Sequence, residues 1–246
     1  MKLTVLGYYG GFPGKEVGTS GFLLQSDDFN LLIDCGSGVL MSLEKVIDPL
    51  QLNAVVISHY HADHFADVGV LQYYWQLHAK RYLTGVLPIY GNTLDETNFS
   101  ALDWPNSTQK FPFKENEVTN IGPFKLEFLK TIHPVPAFAI KITEKKTNKM
   151  LVYTADSQYF DGLIDFCKDA NLLIADTNFF ENKTGTIWHM TSKQVGNLAK
   201  SANCDQLMLS HLPQTEKLNL LFDEAEAAAG AKVEVVLPKL REKIEI

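Results

Sequence analysis

Residues 54–64 read Ala-Val-Val-Ile-Ser-His-Tyr-His-Ala-Asp-His, an apolar run that stops at Ser58 and gives way to three histidines and an aspartate. A short apolar run bounded by polar residues reads as a buried strand, so the histidines stand where that strand emerges into a loop and a helix begins. On extended chain, residues two apart share a face. His59 and His61 can therefore grip one cation, while the following turn aims Asp63 and His64 elsewhere. A solvated histidine-rich turn is the alternative. Three imidazoles within residues 59–64 beside a carboxylate are a far more specific signal for metal.

The same placement recurs further along the chain. His133 follows the apolar run 124–132, Asp156 follows 150–154, and His211 follows 206–210. Taken singly, His133 could bond a turn carbonyl before Pro134, Asp156 could cap a helix, and His211 could be a satisfied core histidine. Taken with the first cluster, the seven residues supply about three ligands for each of two divalent ions that share a water.

The segments between these points set the fold. Runs at 3–6, 22–25, 31–33 and 54–58 read as strands in the first half, and runs at 124–130, 137–142, 150–153, 172–175, 206–209 and 233–237 in the second. Helices are expected at 65–81, at 163–168 and at 191–202. In the last, Gln194 lies three residues after Thr191, the capping-box spacing, and Val195, Leu198, Ala199 and Ala202 form an apolar stripe. Strands first, then strands alternating with helices in each half, predict an α/β fold. The expected form is a four-layer αββα sandwich, two facing mixed sheets with helices outside. No linker or internal repeat interrupts the chain, so residues 1–246 are read as one domain.

Composition narrows the function. With 246 residues, 46% hydrophobic and 21% charged, the chain can bury a large core, which excludes disorder and collagen-like repeats. A net charge of −7 gives no global field toward nucleic acid or anionic lipid, so an anionic substrate has to be attracted locally. Cys35, Cys167 and Cys204 are widely spaced and odd in number, which argues against a disulfide framework or a further zinc site and suits the reducing cytoplasm. Residues 1–7 are too short an apolar stretch for a signal peptide, and no run approaches a membrane span. No membrane partner is expected.

His59-Tyr60-His61-Ala62-Asp63-His64 matches the H-x-H-x-D-H motif, and on it the chain resembles the metallo-β-lactamase superfamily over essentially its whole length. Residues 7–14 and Leu32-Ile33-Asp34-Cys35-Gly36 also look like that superfamily's opening glycine loop and second strand. The resemblance implies that His59, His61 and His133 hold one metal, that Asp63, His64 and His211 hold the second, and that Asp156 bridges them. Asp34 is then a partner orienting a metal-bound imidazole, with turn capping as its equal alternative.

Two divalent ions outweigh Asp63, Asp156 and a shared hydroxide by about one positive charge, which favours an anion. Such a hydroxide, positioned with help from Asp63, suits attack at phosphorus and can also attack a carbonyl. Trp188-His189-Met190-Thr191-Ser192 resembles the histidine-containing segment of ribonuclease Z, where that histidine assists the leaving group and the scissile phosphate. The other reading of His189 is a loop histidine packed on Trp188. Asp176 either orients His189 or stands near the metals, and a structural role is the simpler expectation. Ribonuclease Z carries a long tRNA-gripping arm between the third motif histidine and the bridging aspartate. Here residues 134–155 leave room only for two strands and a Glu144-to-Lys149 turn, and no polybasic stripe is apparent.

The expectation is therefore a cytoplasmic dinuclear metal-dependent hydrolase, with zinc, manganese or iron. It would cleave a small or cyclic phosphodiester or another anionic nucleotide substrate, with an RNA 3′ end still open, and the resemblance allows a homodimer. The alternatives are a thioester, lactone or other carbonyl hydrolase on the same metals, a tRNA 3′-processing endoribonuclease, and a non-catalytic metal-binding module. His78 and the aromatics at 73–75 read as packing rather than as a base-stacking wall.

Overall fold

The apolar runs become strands: those at 124–130 and 150–153 keep their bounds, those at 3–6, 22–25, 31–33, 172–175 and 206–209 are extended, 137–142 shifts to Phe138–Glu144, and 54–58 and 233–237 shorten to Ala54–Val56 and Glu234–Val236. The structure is a computed structural model describing residues 1–78, 85–215 and 217–246. By backbone contact it divides into two compact units, Met1–Lys114 with Leu240–Glu245, and Glu115–Lys239 with Ile246. The first unit runs β1 (Lys2–Tyr9), β2 (Gly18–Thr19), β3 (Gly21–Ser26), β4 (Phe29–Ile33), α1 (Val39–Leu43), β5 (Ala54–Val56), α2 (Ala62–Phe65), α3 (Val68–Leu77), β6 (Leu87–Asn92), α4 (Glu96–Ser100) and β7 (Thr108–Phe113). The second runs β8 (Thr119–Ile121), β9 (Phe124–Lys130), β10 (Phe138–Glu144), β11 (Met150–Tyr153), α5 (Gly162–Cys167), β12 (Leu172–Asp176), α6 (Ser192–Ser201), β13 (Gln206–Ser210), α7 (Leu218–Ala229) and β14 (Glu234–Val236). The last strand, β15 (Lys243–Glu245), returns to the first unit.

Both sheets are mixed, and both follow one plan. Among the described residues, the first has the order β15-β1-β3-β4-β5-β6-β7 with β2 beside β1, and the second has the order β14-β13-β12-β11-β10-β9-β8. In the first unit β1, β3 and β4 pair antiparallel and β4 to β7 pair parallel. In the second, β8 to β11 pair antiparallel and β11 to β14 parallel. The parallel strands β5 and β12 are buried along their whole length, which is why they read as unbroken apolar runs rather than as alternations. Ligands gather outside the carboxyl ends of parallel strands. In this chain Asp34 and His59 follow β4 and β5, Asp156 and His211 follow β11 and β13, and Asp176 ends β12.

The single helix expected at 65–81 is instead two, α2 and α3, and its tail at 79–81 lies outside the described residues. The break sits at Asp67, whose N–H donates to the Cys35 carbonyl (3.0 Å) and whose carboxylate accepts from the Leu40 N–H (2.9 Å) at the start of α1. Burial pushes this carboxyl above the usual range, against the backbone N–H groups that lower it. Val68, Leu71 and Trp75 of α3 then pack with Val39 and Leu43 of α1 against Leu32, Val55 and Ile89 of the sheet. Trp75 is thus core, and its indole N–H donates to the Gly85 carbonyl (2.9 Å). Tyr73 meets Trp104 at 5.3 Å, and His78 stacks on Tyr74 at 5.3 Å.

In the second unit, α6 forms with the capping box its sequence announces. Thr191 Oγ1 accepts from the Gln194 N–H (3.3 Å), and the Thr191 N–H donates to Gln194 Oε1 (2.9 Å). Its stripe of Val195, Leu198 and Ala199 is buried, as are Leu221, Ala225 and Ala229 of α7, on which α6 packs. A Cβ on Gly196 would lie 2.3 Å from the Ala225 carbonyl oxygen, so only glycine permits this approach. The three cysteines are buried free thiols. Burial pushes the thiols of Cys35 and Cys167 well up, and that of Cys204 up to about 12. Among the described residues, no helix is long and apolar enough to cross a membrane.

Candidate metal centre

In the first unit, the chain leaves β5 extended as far as His61 and then turns into α2, which carries Asp63 and His64. The three imidazoles come together, with ring centroids 5.0 Å apart for His59 and His61 and 4.1 Å for His59 and His64. Asp34 organises them. One of its oxygens accepts from the Ser58 N–H (2.7 Å), and the other accepts from the Ser58 hydroxyl (2.8 Å) and from His64 Nδ1 (2.7 Å). Because the Ser58 hydroxyl proton points at Asp34, Ser58 Oγ is an acceptor toward His59 Nδ1 at 3.1 Å, which sets that ring's tautomer as well. Both Nε2 atoms are thereby acceptors. His64 Nε2 faces Asp63 Oδ2 at 3.7 Å, and Gly11 in the glycine loop donates its N–H to the same oxygen (2.7 Å). Gly36 makes the approach possible, since a Cβ there would fall 2.0 Å from the Asp63 carbonyl oxygen.

In the second unit, the remaining residues converge on Asp156. His211 Nε2 lies 3.2 Å and His133 Nε2 lies 3.7 Å from Asp156 Oδ2. His133 Nδ1 donates to the Trp188 carbonyl (3.3 Å), and His211 Nδ1 lies 3.4 Å from the Asn178 amide nitrogen and 3.5 Å from Asp176 Oδ1. His189 Nδ1 donates to Asp176 Oδ2 (2.8 Å), and its ring stacks on His211 at 4.7 Å. Burial alone would lower the His189 pKa. The charge and hydrogen bond of Asp176 outweigh it, and the imidazolium is favoured above the usual range. Asp156, Asp176, His189 and His211 each offer an atom within 4.8 Å of the others.

The donor set fits a divalent cation. Imidazoles whose Nδ1 donates to an oxygen, as those of His64 and His133 do, present Nε2 only as an acceptor, and these two acceptors each face a carboxylate oxygen at 3.7 Å. A cation satisfies acceptor facing acceptor, and an outer carboxylate or carbonyl such as Asp34 gives His64 and Trp188 gives His133 is the usual support of a metal histidine.

Backbone conformation reinforces the design. Asp34 (φ 55), Ala155 (φ 49) and His211 (φ 52) all adopt the left-handed region, which costs a non-glycine residue about 1–2 kcal/mol. Each sits where a parallel strand ends, and each turn throws a carboxylate or an imidazole off the sheet. Asp34, the seven motif residues, Asp176 and His189 thus cluster within their own units. Sequence reasoning missed Ser58, which links Asp34 to His59, and Asn178, whose amide donates to the His211 carbonyl (2.9 Å). Ser58 could have been suspected from its place directly before His59, whereas nothing in the sequence marks Asn178.

Known proteins resemble the chain over nearly its whole length. Residues 29–212 match the model of the β-lactamase superfamily domain. The chain is 43% identical over 240 residues to the probable metallo-hydrolase YhfI of Bacillus subtilis, covering 96% of each. It superposes on the crystal structure of the metallo-beta-lactamase fold protein YhfI with a TM-score of 0.93, at 41% identity and covering 99% of this chain and 98% of that one. It is also 23% identical to the ribonuclease Z of Thermoplasma volcanium, covering 92% of each. The chain therefore belongs to the β-lactamase superfamily domain family and is a metal-dependent hydrolase.

Proposed function

We propose that this hydrolase cleaves small phosphodiesters, cyclic ones included, and that the two units act as one domain. In this reading His59, His61, Asp63, His64, His133, Asp156 and His211 hold two divalent ions, zinc by preference and manganese or iron as substitutes. When bound, such ions lower the pKa of a water to near neutrality and offset phosphate charge. The chain's own residues supply the rest. Asp63, steadied by the Gly11 N–H, positions the attacking water. His189, whose protonated form the Asp176 carboxylate favours, donates to a phosphate oxygen or to the departing alkoxide.

The observation that carries this reading is the His189–Asp176 pair at 2.8 Å. An imidazolium complements the negative charge that a phosphodiester carries and a neutral lactone or thioester does not, and it can also protonate the departing alkoxide. Against long RNA, residues between His133 and Asp156 fold as the β10–β11 hairpin, with no projecting arm, and the chain carries net charge −7. Three buried thiols suit a cytoplasmic protein, and a homodimer is compatible with the same reading.

The test is a panel of bis(p-nitrophenyl) phosphate, nucleoside cyclic phosphates, a thioester, a lactone and precursor tRNA, with wild type and His189→Ala. We expect diester hydrolysis, reduced in the variant by about 10²–10⁴ in kcat/KM. Ester or lactone turnover indifferent to His189, or efficient tRNA cleavage, would replace this reading with one of its rivals.

A further inference from the structure

We propose that Trp188 is a stacking platform for a nucleobase, so that the preferred substrate is a nucleoside phosphodiester rather than an aliphatic one. The inference rests on the phosphodiesterase reading and names the substrate class within it. Trp188 is 44% exposed, and tryptophan is enriched where a protein surface meets a partner. Its placement is not casual. The Trp188 carbonyl accepts from His133 Nδ1 (3.3 Å), and the next residue is His189, fixed by Asp176 (2.8 Å). The backbone that carries the indole is therefore held beside two imidazoles of the candidate centre. Ile132, 39% exposed, adds an apolar neighbour in sequence to His133.

The same loop carries a cation. Lys183 Nζ lies 5.0 Å over the Phe179 ring, and the Phe179 ring meets the His189 ring at 5.9 Å. Planar apolar surface beside positive charge is the complement of a nucleotide, whose base presents a π-face and whose phosphate is an anion. A lipid-like or peptide substrate would not need both.

The loop is also anchored rather than adaptable. Glu224 of α7 accepts from the Glu181 N–H (2.9 Å) and from the Ser192 hydroxyl, and Asn178 donates to the His211 carbonyl (2.9 Å). Trp188 is thus presented from a loop tied at both ends, which reduces the ordering cost of binding. Stacking of this kind tolerates any base, so the discrimination is between aromatic and aliphatic substituents.

The experiment uses the metal-loaded full chain and compares a nucleoside 2′,3′-cyclic phosphate with glycerophosphocholine. In Trp188→Ala, the ratio of kcat/KM for the nucleoside diester over the aliphatic diester should fall about ten-fold, chiefly through KM, and Trp188→Phe should restore most of it. Independently of turnover, adenosine 5′-monophosphate should quench tryptophan fluorescence in the wild type, and the quench should vanish in Trp188→Ala, where Trp75 and Trp104 remain. An unchanged ratio together with an unchanged quench overturns the proposal. If neither diester is cleaved but the quench depends on Trp188, stacking stands and the phosphodiesterase reading falls. If both diesters are cleaved without any dependence on Trp188, the reverse holds.

Discussion

At the scale of the residue, Asp34 has the widest reach. Through one carboxylate it fixes the Ser58 backbone, the Ser58 hydroxyl and the His64 ring, and through Ser58 it sets the His59 ring. Removing it leaves two imidazoles free to choose the wrong tautomer and leaves Ser58 with a buried donor unsatisfied. We expect Asp34→Ala to weaken metal binding by about 10–100-fold, measured by competition with a chromophoric chelator. Binding equal to wild type would show that its role is only to cap the turn after β4. Turn capping and ligand orientation were equally readable from the sequence, because both call for an aspartate after a strand. The geometry joins them, with the Ser58 N–H on one oxygen and the His64 ring on the other.

At the scale of the element, the close approach at Gly36 brings the turn after β4 against the backbone of α2. Gly36→Ala should destabilise the fold by about 1–3 kcal/mol through overpacking, seen as an earlier midpoint in urea, because the obstructing atom is a backbone oxygen that cannot rotate away. How much of the fold was legible follows the same physics. Strands β5 and β12 announce themselves because burial along their full length demands apolar runs, and α6 because its cap and stripe are both local. The segments that went unread are those whose order comes from neighbours. β6 contains Pro88 and Gly91, and β7 contains Pro112. α4 has no buried residue, and β15 exists by pairing with β1. The helix expected at 65–81 failed for a tertiary reason, since Asp67 is recruited to the Leu40 N–H of α1, 27 residues earlier in the chain. The seven proposed ligands could be picked out of the sequence because the metal reading asks for particular side chains at particular strand ends. Ser58, Asn178 and the Trp188 carbonyl were not, because they act by position.

At the scale of the whole molecule, the chain is acidic, with net charge −7, yet each unit gathers its histidines around one or two carboxylates. Metal occupancy should therefore govern both activity and endurance. Exhaustive chelation should abolish turnover and lower the thermal midpoint, and zinc or manganese should restore both, because a ligand bound only by the folded state adds its binding free energy to stability. Restored activity with no change in midpoint would indicate that the ions bind without coupling to the fold.

The left-handed residue before Asp156 carries a warning for anyone wishing to make this protein hardier. Ala155 at φ 49 pays for aiming its neighbour, and Ala155→Gly should relieve about 1 kcal/mol and raise the melting temperature. The same freedom lets the aspartate wander, so the sturdier variant should hold its metal less tightly in equilibrium dialysis. Heat tolerance and catalytic readiness then compete for a single torsion angle, and a selection for one would erode the other.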